Sequence, residues 1–151
     1  MFEQEDYIKE KFGKFGITEV SVLALKKNIF EGIDGKGKLL SVYERDIFYD
    51  AVIVKPNKKG RILEQDALAP HGKNPLKNPQ PLMFIKIASG VTIEFRFDLT
   101  EFEVSKGIKV TPEQKLGLFK EILADVGIGA KTNVGYGQLE ILEEEKKEQN
   151  N

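Results

Sequence analysis

Cysteine and tryptophan are absent from this 151-residue chain, and histidine occurs once. Without cysteine the chain has no disulfides, thiolate metal ligands or cysteine nucleophiles. No apolar run approaches the roughly 20 residues of a membrane-spanning helix, and the segment Met1–Asp6 is acidic where a signal peptide is basic. These absences predict a cytoplasmic protein without a membrane partner.

Acidic and basic side chains nearly balance, at 24 and 23, for a formal charge of −1. A balanced total still permits a basic face, so nucleic acid is not excluded as a partner. The length and the 40% hydrophobic content favour one compact domain. We predict a loosely ordered lead-in over residues 1–16, one domain over 17–142 and a charged, disordered tail over 143–151.

Periodicity and turn residues predict a mixed order of helices and strands. Helices are expected over Glu19–Phe30, with Thr18 as N-cap, and from a capping box at Thr111–Gln114 to Val126. The expected strands are a buried strand at Asp46–Val54, a returning strand at Arg61–Leu68, a hairpin of Leu82–Ala88 and Val91–Leu99 around Ser89-Gly90, and a closing strand at Tyr136–Leu142. This order predicts an α+β fold with a mostly antiparallel sheet.

The most distinctive stretch is Gly127–Gly137, which holds four glycines in eleven residues. It is not a Walker A loop, because Ala130 stands before Lys131 and a helix precedes the loop instead of following it. A dinucleotide fingerprint fails too, since its third glycine would fall at Thr132. Glycine permits positive φ and a close backbone approach, so the segment is a candidate contact for a phosphate or a nucleic acid.

Each residue of this loop has a functional and a structural interpretation. Gly127 is predicted to end the preceding helix. A solvated connecting turn and an anion contact are both compatible with the remaining glycines and with the polar side chains of Lys131, Thr132 and Asn133. Tyr136 could stack on a base or fill the core at the start of a strand.

Outside the loop, His71 is the only side chain whose unperturbed pKa suits acid–base chemistry at neutral pH. It lies in a Pro- and Asn-rich loop beside Lys73, where a packing or hydrogen-bonding role is the simpler interpretation. Carboxylates near the predicted strands could in principle collect a metal, but salt-bridge roles are commoner and no ligand spacing is specific. These carboxylates are Asp46, Asp50, Glu64 and Asp66. No metal and no cofactor are therefore expected.

Three segments together resemble a known family: Tyr43–Ala51, Leu68–His71 and Gly127–Gly137. They are similar to the RAMP proteins, the repeat-associated RNA-binding proteins of CRISPR defence systems. In this order they resemble the terminal backbone subunit, the sixth, of the type III-B Cmr complex, over roughly Leu25–Leu142. The resemblance implies a ferredoxin-like, RRM-related fold that is incomplete at its N-terminal side, because family members have an earlier part that this chain lacks.

The resemblance also implies a non-catalytic subunit that binds guide RNA near its 3′ end within an RNA-guided antiviral complex. Its implied partners are the CRISPR guide RNA, other RAMP subunits and a separate chain supplying the missing N-terminal part, unless the chain is a fragment. The expected RNA-binding residues are Gly129, Lys131, Thr132, Asn133, Gly135, Tyr136 and Gly137, with Lys73 and His71. The alternative function is a metal-independent endoribonuclease that processes CRISPR repeat RNA with His71.

Overall fold

A computed structural model describes residues 5–15, 17, 21–68, 81–105 and 108–142. Three α-helices are present in this part of the chain: α1 (Glu5–Lys14), α2 (Val22–Lys26) and α3 (Pro112–Val126). Eight short strands accompany them: β1 (Ile47–Phe48), β2 (Val52–Lys55), β3 (Leu63–Leu68), β4 (Leu82–Ile87), β5 (Thr92–Glu94), β6 (Phe97–Asp98), β7 (Phe102–Ser105) and β8 (Ile108–Val110). The expected α+β class is confirmed, since helices and antiparallel strand pairs occur together.

The chain forms two compact units. The first, called here the helical unit, comprises Met1–Ile47 and Asp98–Asn151 and contains all three helices. The second, called here the ribbon unit, is the continuous segment Phe48–Phe97. The predicted domain boundaries at residues 17 and 142 stay a prediction.

Helix α1 occupies the segment for which the sequence predicted a loosely ordered lead-in, and that prediction is wrong for Glu5–Lys14. The apolar residues Ile8 and Phe12 are four apart, which places them on one helix face, and both are almost fully buried. The opposite side is charged and exposed. Gly13, which lies inside the helix, and Gly16, which follows it, gave the segment the appearance of a loop.

Helix α2 lies within the predicted helix Glu19–Phe30 but begins later. Ser21 is its N-cap and accepts a hydrogen bond from the backbone N–H of Ala24 at 3.3 Å. A π-helical turn, Lys27–Glu31, extends it, and Gly32 ends that turn in the left-handed region at φ 64°. The predicted N-cap Thr18 lies outside the described residues.

The bounds of helix α3 agree closely with the helix predicted from the sequence. The side chain of Thr111 accepts from the N–H of Gln114, whose side chain accepts in turn from the N–H of Thr111 at 2.8 Å. Pro112 stands in the first turn, where its missing N–H is not needed. The buried face of α3 consists of Lys115, Leu118, Phe119 and Ile122, whereas Val126, its last residue, is 42% exposed.

Polar contacts join helices α1 and α3 beside their buried apolar faces. The Lys11 ammonium lies 2.9 Å from a Glu121 carboxylate oxygen and 2.5 Å from Asp125, and the Tyr7 hydroxyl donates to Asp125 at 2.7 Å. Burial and the Asp125 carboxylate raise the pKa of Tyr7 to about 12. The helical unit therefore combines an apolar interior with charge pairs at its edge.

The ribbon unit departs from the predicted hairpin at Ser89-Gly90. Strands β4 and β5 do not pair with each other: β4 pairs with β3, from Leu68↔Leu82 to Leu63↔Ile87, and β5 pairs with β2. Strand β1 pairs with β6. The chain thus runs along one side of an interrupted two-stranded antiparallel ribbon and back along the other, and Ser89-Gly90 lies in an interruption of the returning side.

The prediction of a buried strand at Asp46–Val54 is wrong, because several apolar residues of this segment are exposed. That segment is split into β1 and β2, and Val52 and Val54 are 54% and 45% exposed. One face of the β3–β4 pair is apolar and also exposed; it contains Leu63, Met83, Ile85 and Ile87. A two-stranded ribbon has no second layer of its own to cover such a face.

The predicted closing strand Tyr136–Leu142 is not formed. Tyr136 and Gly137 are in a turn, and residues 138–142 have no regular structure. The described strands make four separate two-stranded pairs instead of one sheet. Alternating side chains alone do not create a strand when no neighbouring edge is available to accept its backbone hydrogen bonds.

Candidate nucleic-acid interface

The glycine-rich loop begins where α3 ends. The N–H of Gly127 donates to the carbonyl of Leu123 at 3.0 Å, and Gly127 takes φ 70° and ψ −168°. The prediction that Gly127 ends the helix is confirmed, although its ψ lies outside the left-handed region that a typical cap adopts. The rigid helix therefore fixes the starting point and the direction of the loop.

A backbone hydrogen bond closes the loop on itself. The N–H of Ile128 donates to the carbonyl of Gly137 at 2.9 Å. A Cβ atom on Gly137 would lie 1.8 Å from the Ile128 carbonyl oxygen, and one on Gly127 would lie 2.5 Å from the Gly137 carbonyl oxygen. Both glycines are therefore required by the close contact of two backbone segments, whether or not a ligand approaches.

Inside this closure the chain makes a short 3₁₀ turn, Thr132–Val134. The carbonyl of Lys131 accepts from the N–H groups of Val134 and Tyr136, at 3.1 and 3.3 Å. The carbonyl of Thr132 accepts from Gly135 at 3.2 Å. These bonds pair the N–H groups of Val134, Gly135 and Tyr136 within the loop.

Five consecutive backbone N–H groups of the loop are candidate donors to a ligand. Within the described part of the chain, the N–H groups of residues 129–133 have no hydrogen-bond acceptor. Gly129 and Lys131 have φ of 83° and 65°, with Ala130 between them. Successive N–H groups in such turns form concave sites that bind anions.

Lys131 is an unusual residue at its position. It is the only non-glycine residue with positive φ among the described residues, and its side chain is exposed. The left-handed conformation costs a residue with a Cβ roughly 1–2 kcal/mol. Strain of this kind is concentrated at functional sites, so the cationic side chain and the five donors form a candidate anion site.

The other predicted loop residues differ in their surroundings. Asn133, Gly129 and Gly135 are exposed, and a Cβ on either glycine would meet no atom within 4 Å. Thr132 and Tyr136 are half-buried. The half-burial of Tyr136 does not distinguish base stacking from core packing, and both interpretations stay predictions.

His71 and Lys73 lie outside the described residues. The structure therefore does not place them relative to Gly129–Gly137, and their roles stay predictions. The same holds for the charged tail.

Sequence reasoning missed a buried ion pair in the helical unit. The ammonium of Lys115 lies 2.7 and 2.9 Å from the two carboxylate oxygens of Asp46, and both side chains are completely buried. Asp46 also accepts from the N–H and hydroxyl of Thr100, at 2.8 and 3.1 Å, while Lys115 donates to Asn28 at 3.2 Å. Burial lowers the pKa of Lys115, and Asp46 opposes that shift.

A signal for this pair was present in the sequence. Lys115, Leu118, Phe119 and Ile122 have the spacing i, i+3, i+4 and i+7 that defines one helix face. A lysine within such a stripe needs a buried partner. Asp46 and Asp66 had been interpreted as salt-bridge partners in preference to metal ligands, and they pair with Lys115 and Lys86 respectively. No group of potential metal ligands occurs among the described residues.

A family model described as the RAMP superfamily matches residues 3–140. The chain belongs to the RAMP superfamily. The match begins upstream of Leu25, where the resemblance of individual motifs begins, and includes α1. RAMP proteins act with RNA in multi-subunit CRISPR complexes, so membership supports a CRISPR-associated role for this chain.

Two further observations complete the description of this RAMP protein. Neither the curated proteins nor the solved structures gave a significant match. No helix in the described ranges is long and apolar enough to cross a membrane.

Proposed function

We propose that this RAMP protein is a non-catalytic RNA-binding subunit of a type III-B CRISPR Cmr effector complex in the cytoplasm. In this role it contacts the backbone of the guide RNA near its 3′ end through the glycine-rich loop and takes part in antiviral defence. The proposed architecture is the ferredoxin-like, RRM-related fold of its family. Its partners are the guide RNA and the other RAMP subunits of the complex.

The observation that supports this proposal most strongly is the run of five backbone N–H groups at residues 129–133 beside Lys131. Five N–H groups without an acceptor in the described chain adjoin the exposed cation Lys131, which is held at positive φ. Phosphate oxygens accept hydrogen bonds from backbone N–H groups and attract lysine, without regard to base sequence. A subunit that holds a guide RNA of any sequence needs contacts of this kind.

Lys131 allows a test in which RNA affinity and folding respond differently. The variant Lys131→Ala removes the charge, whereas Lys131→Gly removes the charge and also suits the positive φ. One lost phosphate contact should weaken binding of single-stranded RNA about fivefold at about 0.1 M salt and reduce the slope of log K against log salt by about 0.7. Lys131→Gly should unfold no more easily than the wild type.

Fluorescence anisotropy with a labelled single-stranded RNA would measure affinity between low and moderate salt. Lys120→Gln is the matched control, because Lys120 is an exposed lysine on α3 of the same unit. In the assembled complex, a photoactivatable nucleotide near the 3′ end of the guide should cross-link to the loop. Salt-independent binding, or wild-type affinity in both Lys131 variants, would refute the proposed contact.

A further inference from the structure

Charge is distributed unevenly between the two units, although the whole chain is nearly neutral. The ribbon unit has eight Lys or Arg residues and four Asp or Glu residues, a formal charge of +4. The remainder of the chain has fifteen basic and twenty acidic residues, a formal charge of −5. The glycine-rich loop belongs to the unit with a negative formal charge, whereas the ribbon unit has the positive one.

The basic side chains of the ribbon unit are concentrated at one interruption of the ribbon. Between the Lys55↔Thr92 and Leu63↔Ile87 pairs, the outgoing side has seven residues and the returning side has four. The outgoing side is thus three residues longer than the returning side and makes a turn at Lys58-Lys59. We call residues 55–61, from the end of β2 through this turn, the basic bulge; its cations are Lys55, Lys58, Lys59 and Arg61.

A network of hydrogen bonds holds the basic bulge in one conformation. The Asn57 side-chain oxygen accepts from the N–H groups of Lys59 and Arg61 at 3.0 and 2.9 Å, and its amide donates to the Ser89 carbonyl at 3.2 Å. The N–H of Gly60 donates to the Asn57 carbonyl at 2.8 Å, and Gly60 has φ 72°. Because the backbone is already ordered, a ligand meets fixed charges without ordering the turn itself.

The cations of the basic bulge form no ion pair among the residues that the structure describes. All four side chains are exposed, and none forms an ion pair with a carboxylate of the described residues. Glu64 lines the shallow depression next to Lys58 and Lys59 but is half-buried and pairs with neither. The opposite segment, residues 88–91, has no charged residue.

We infer that the basic bulge is a second contact for the RNA phosphate backbone, independent of the glycine-rich loop. The occupant is single-stranded RNA, since a polyanion matches four exposed cations that form no ion pair among the described residues, and RAMP proteins act with RNA. This inference rests on the proposed RNA-binding function and adds to it a site in the other unit. Binding here is independent of base sequence, because lysine and arginine meet phosphates and no aromatic side chain lies in the bulge.

The test compares two pairs of adjacent lysines in the full-length chain. Lys58→Gln/Lys59→Gln removes two charges from the basic bulge, and Lys26→Gln/Lys27→Gln removes two exposed charges from the helical unit. The first variant should weaken binding of a labelled 20-nucleotide single-stranded RNA by about 25-fold at about 0.1 M salt and lower the salt slope by about 1.4. The second variant should remain within about twofold of the wild type.

A third variant should act in the opposite direction. Glu64→Gln removes the carboxylate beside the basic bulge, so it should strengthen RNA binding. Circular dichroism spectra identical to the wild type would show that each variant is folded, which is expected because the Lys58 and Lys59 side chains make no ion pair within the described chain.

The outcomes separate this inference from the proposed function. If Lys131→Ala weakens binding but Lys58→Gln/Lys59→Gln does not, the basic bulge does not contact RNA, and an acidic protein surface becomes its expected partner. The proposed loop contact then stands. If only the double variant weakens binding, the inference stands and the loop contact fails. A wild-type chain that does not bind RNA overturns both.

Discussion

Removing the Lys115 ammonium should destabilise the helical unit more than any change at an exposed charge. In Lys115→Met the Asp46 carboxylate stays buried and keeps only the two donors of Thr100, at 2.8 and 3.1 Å. Removing one partner from a buried ion pair typically costs about 3–5 kcal/mol. That is a large part of the roughly 5–15 kcal/mol of unfolding free energy of a typical domain.

A double variant makes the prediction sharper. Lys115→Met/Asp46→Asn removes both charges, while the new amide oxygen can still accept from the Thr100 N–H. Neutral replacement of a buried pair is often tolerated, so the double variant should be more stable than Lys115→Met alone. Urea unfolding followed by circular dichroism at the helical wavelength reports on the helical unit, because all three α-helices belong to it.

The exposed pair between Lys109 and Glu101 provides the matched control. Its ammonium and carboxylate are 2.6 Å apart, as close as those of Lys115 and Asp46, but about half of each side chain is exposed. Lys109→Met should therefore change stability only slightly. The reasoning is refuted if Lys115→Met is as mild as Lys109→Met, or if the double variant is as unstable as the sum of its two single changes.

Two further predictions follow from the loop closure and from the buried lysine. Gly137→Ala should lower the unfolding free energy by at least about 1–2 kcal/mol, and by more than Gly129→Ala. The reason is that a Cβ on Gly137 would lie 1.8 Å from the Ile128 carbonyl oxygen, whereas Gly129 has open space. Equal stability of the two variants in thermal unfolding would contradict this. Burial lowers the pKa of folded Lys115 below its ordinary 10.5, so between the two values the unfolded chain binds more protons and stability rises with pH. The stability difference between the wild type and Lys115→Met/Asp46→Asn should accordingly grow towards pH 10.5 in urea titrations, and a flat or falling difference would show that the lysine pKa is not depressed.

The positions of α3 and of the glycine-rich loop were predictable because both follow from neighbouring residues. The capping box of Thr111 and Gln114, and the helix end at Gly127, require only groups within one turn of the helix. The concentration of glycine likewise predicted a loop with positive φ. The glycines have different roles: Gly127 and Gly137 close the loop, and Gly129 has open space around it. This difference depends on contacts between the two ends of the loop, which the local sequence does not show.

Strand pairing was predicted less well, because it depends on which edges meet. Ser89-Gly90 has the local sequence of a hairpin turn, yet β4 pairs with β3 and β5 with β2. A turn of two residues can reverse the chain only if the flanking strands are each other's best partners. The Asn57 side chain donates a hydrogen bond to the carbonyl of Ser89, 32 residues away in sequence. Local sequence patterns do not reveal such a contact.

The sequence by itself determined the class of helices and antiparallel strands, the boundaries of α3 and the glycine-rich loop, because these depend on short-range sterics and hydrogen bonding. Only the tertiary structure decided that the chain forms two units of opposite charge and that Lys115 pairs with Asp46, 69 residues away in sequence. Such pairs form when distant segments are desolvated together, and the energy of burying a charge depends on the partner that folding brings to it.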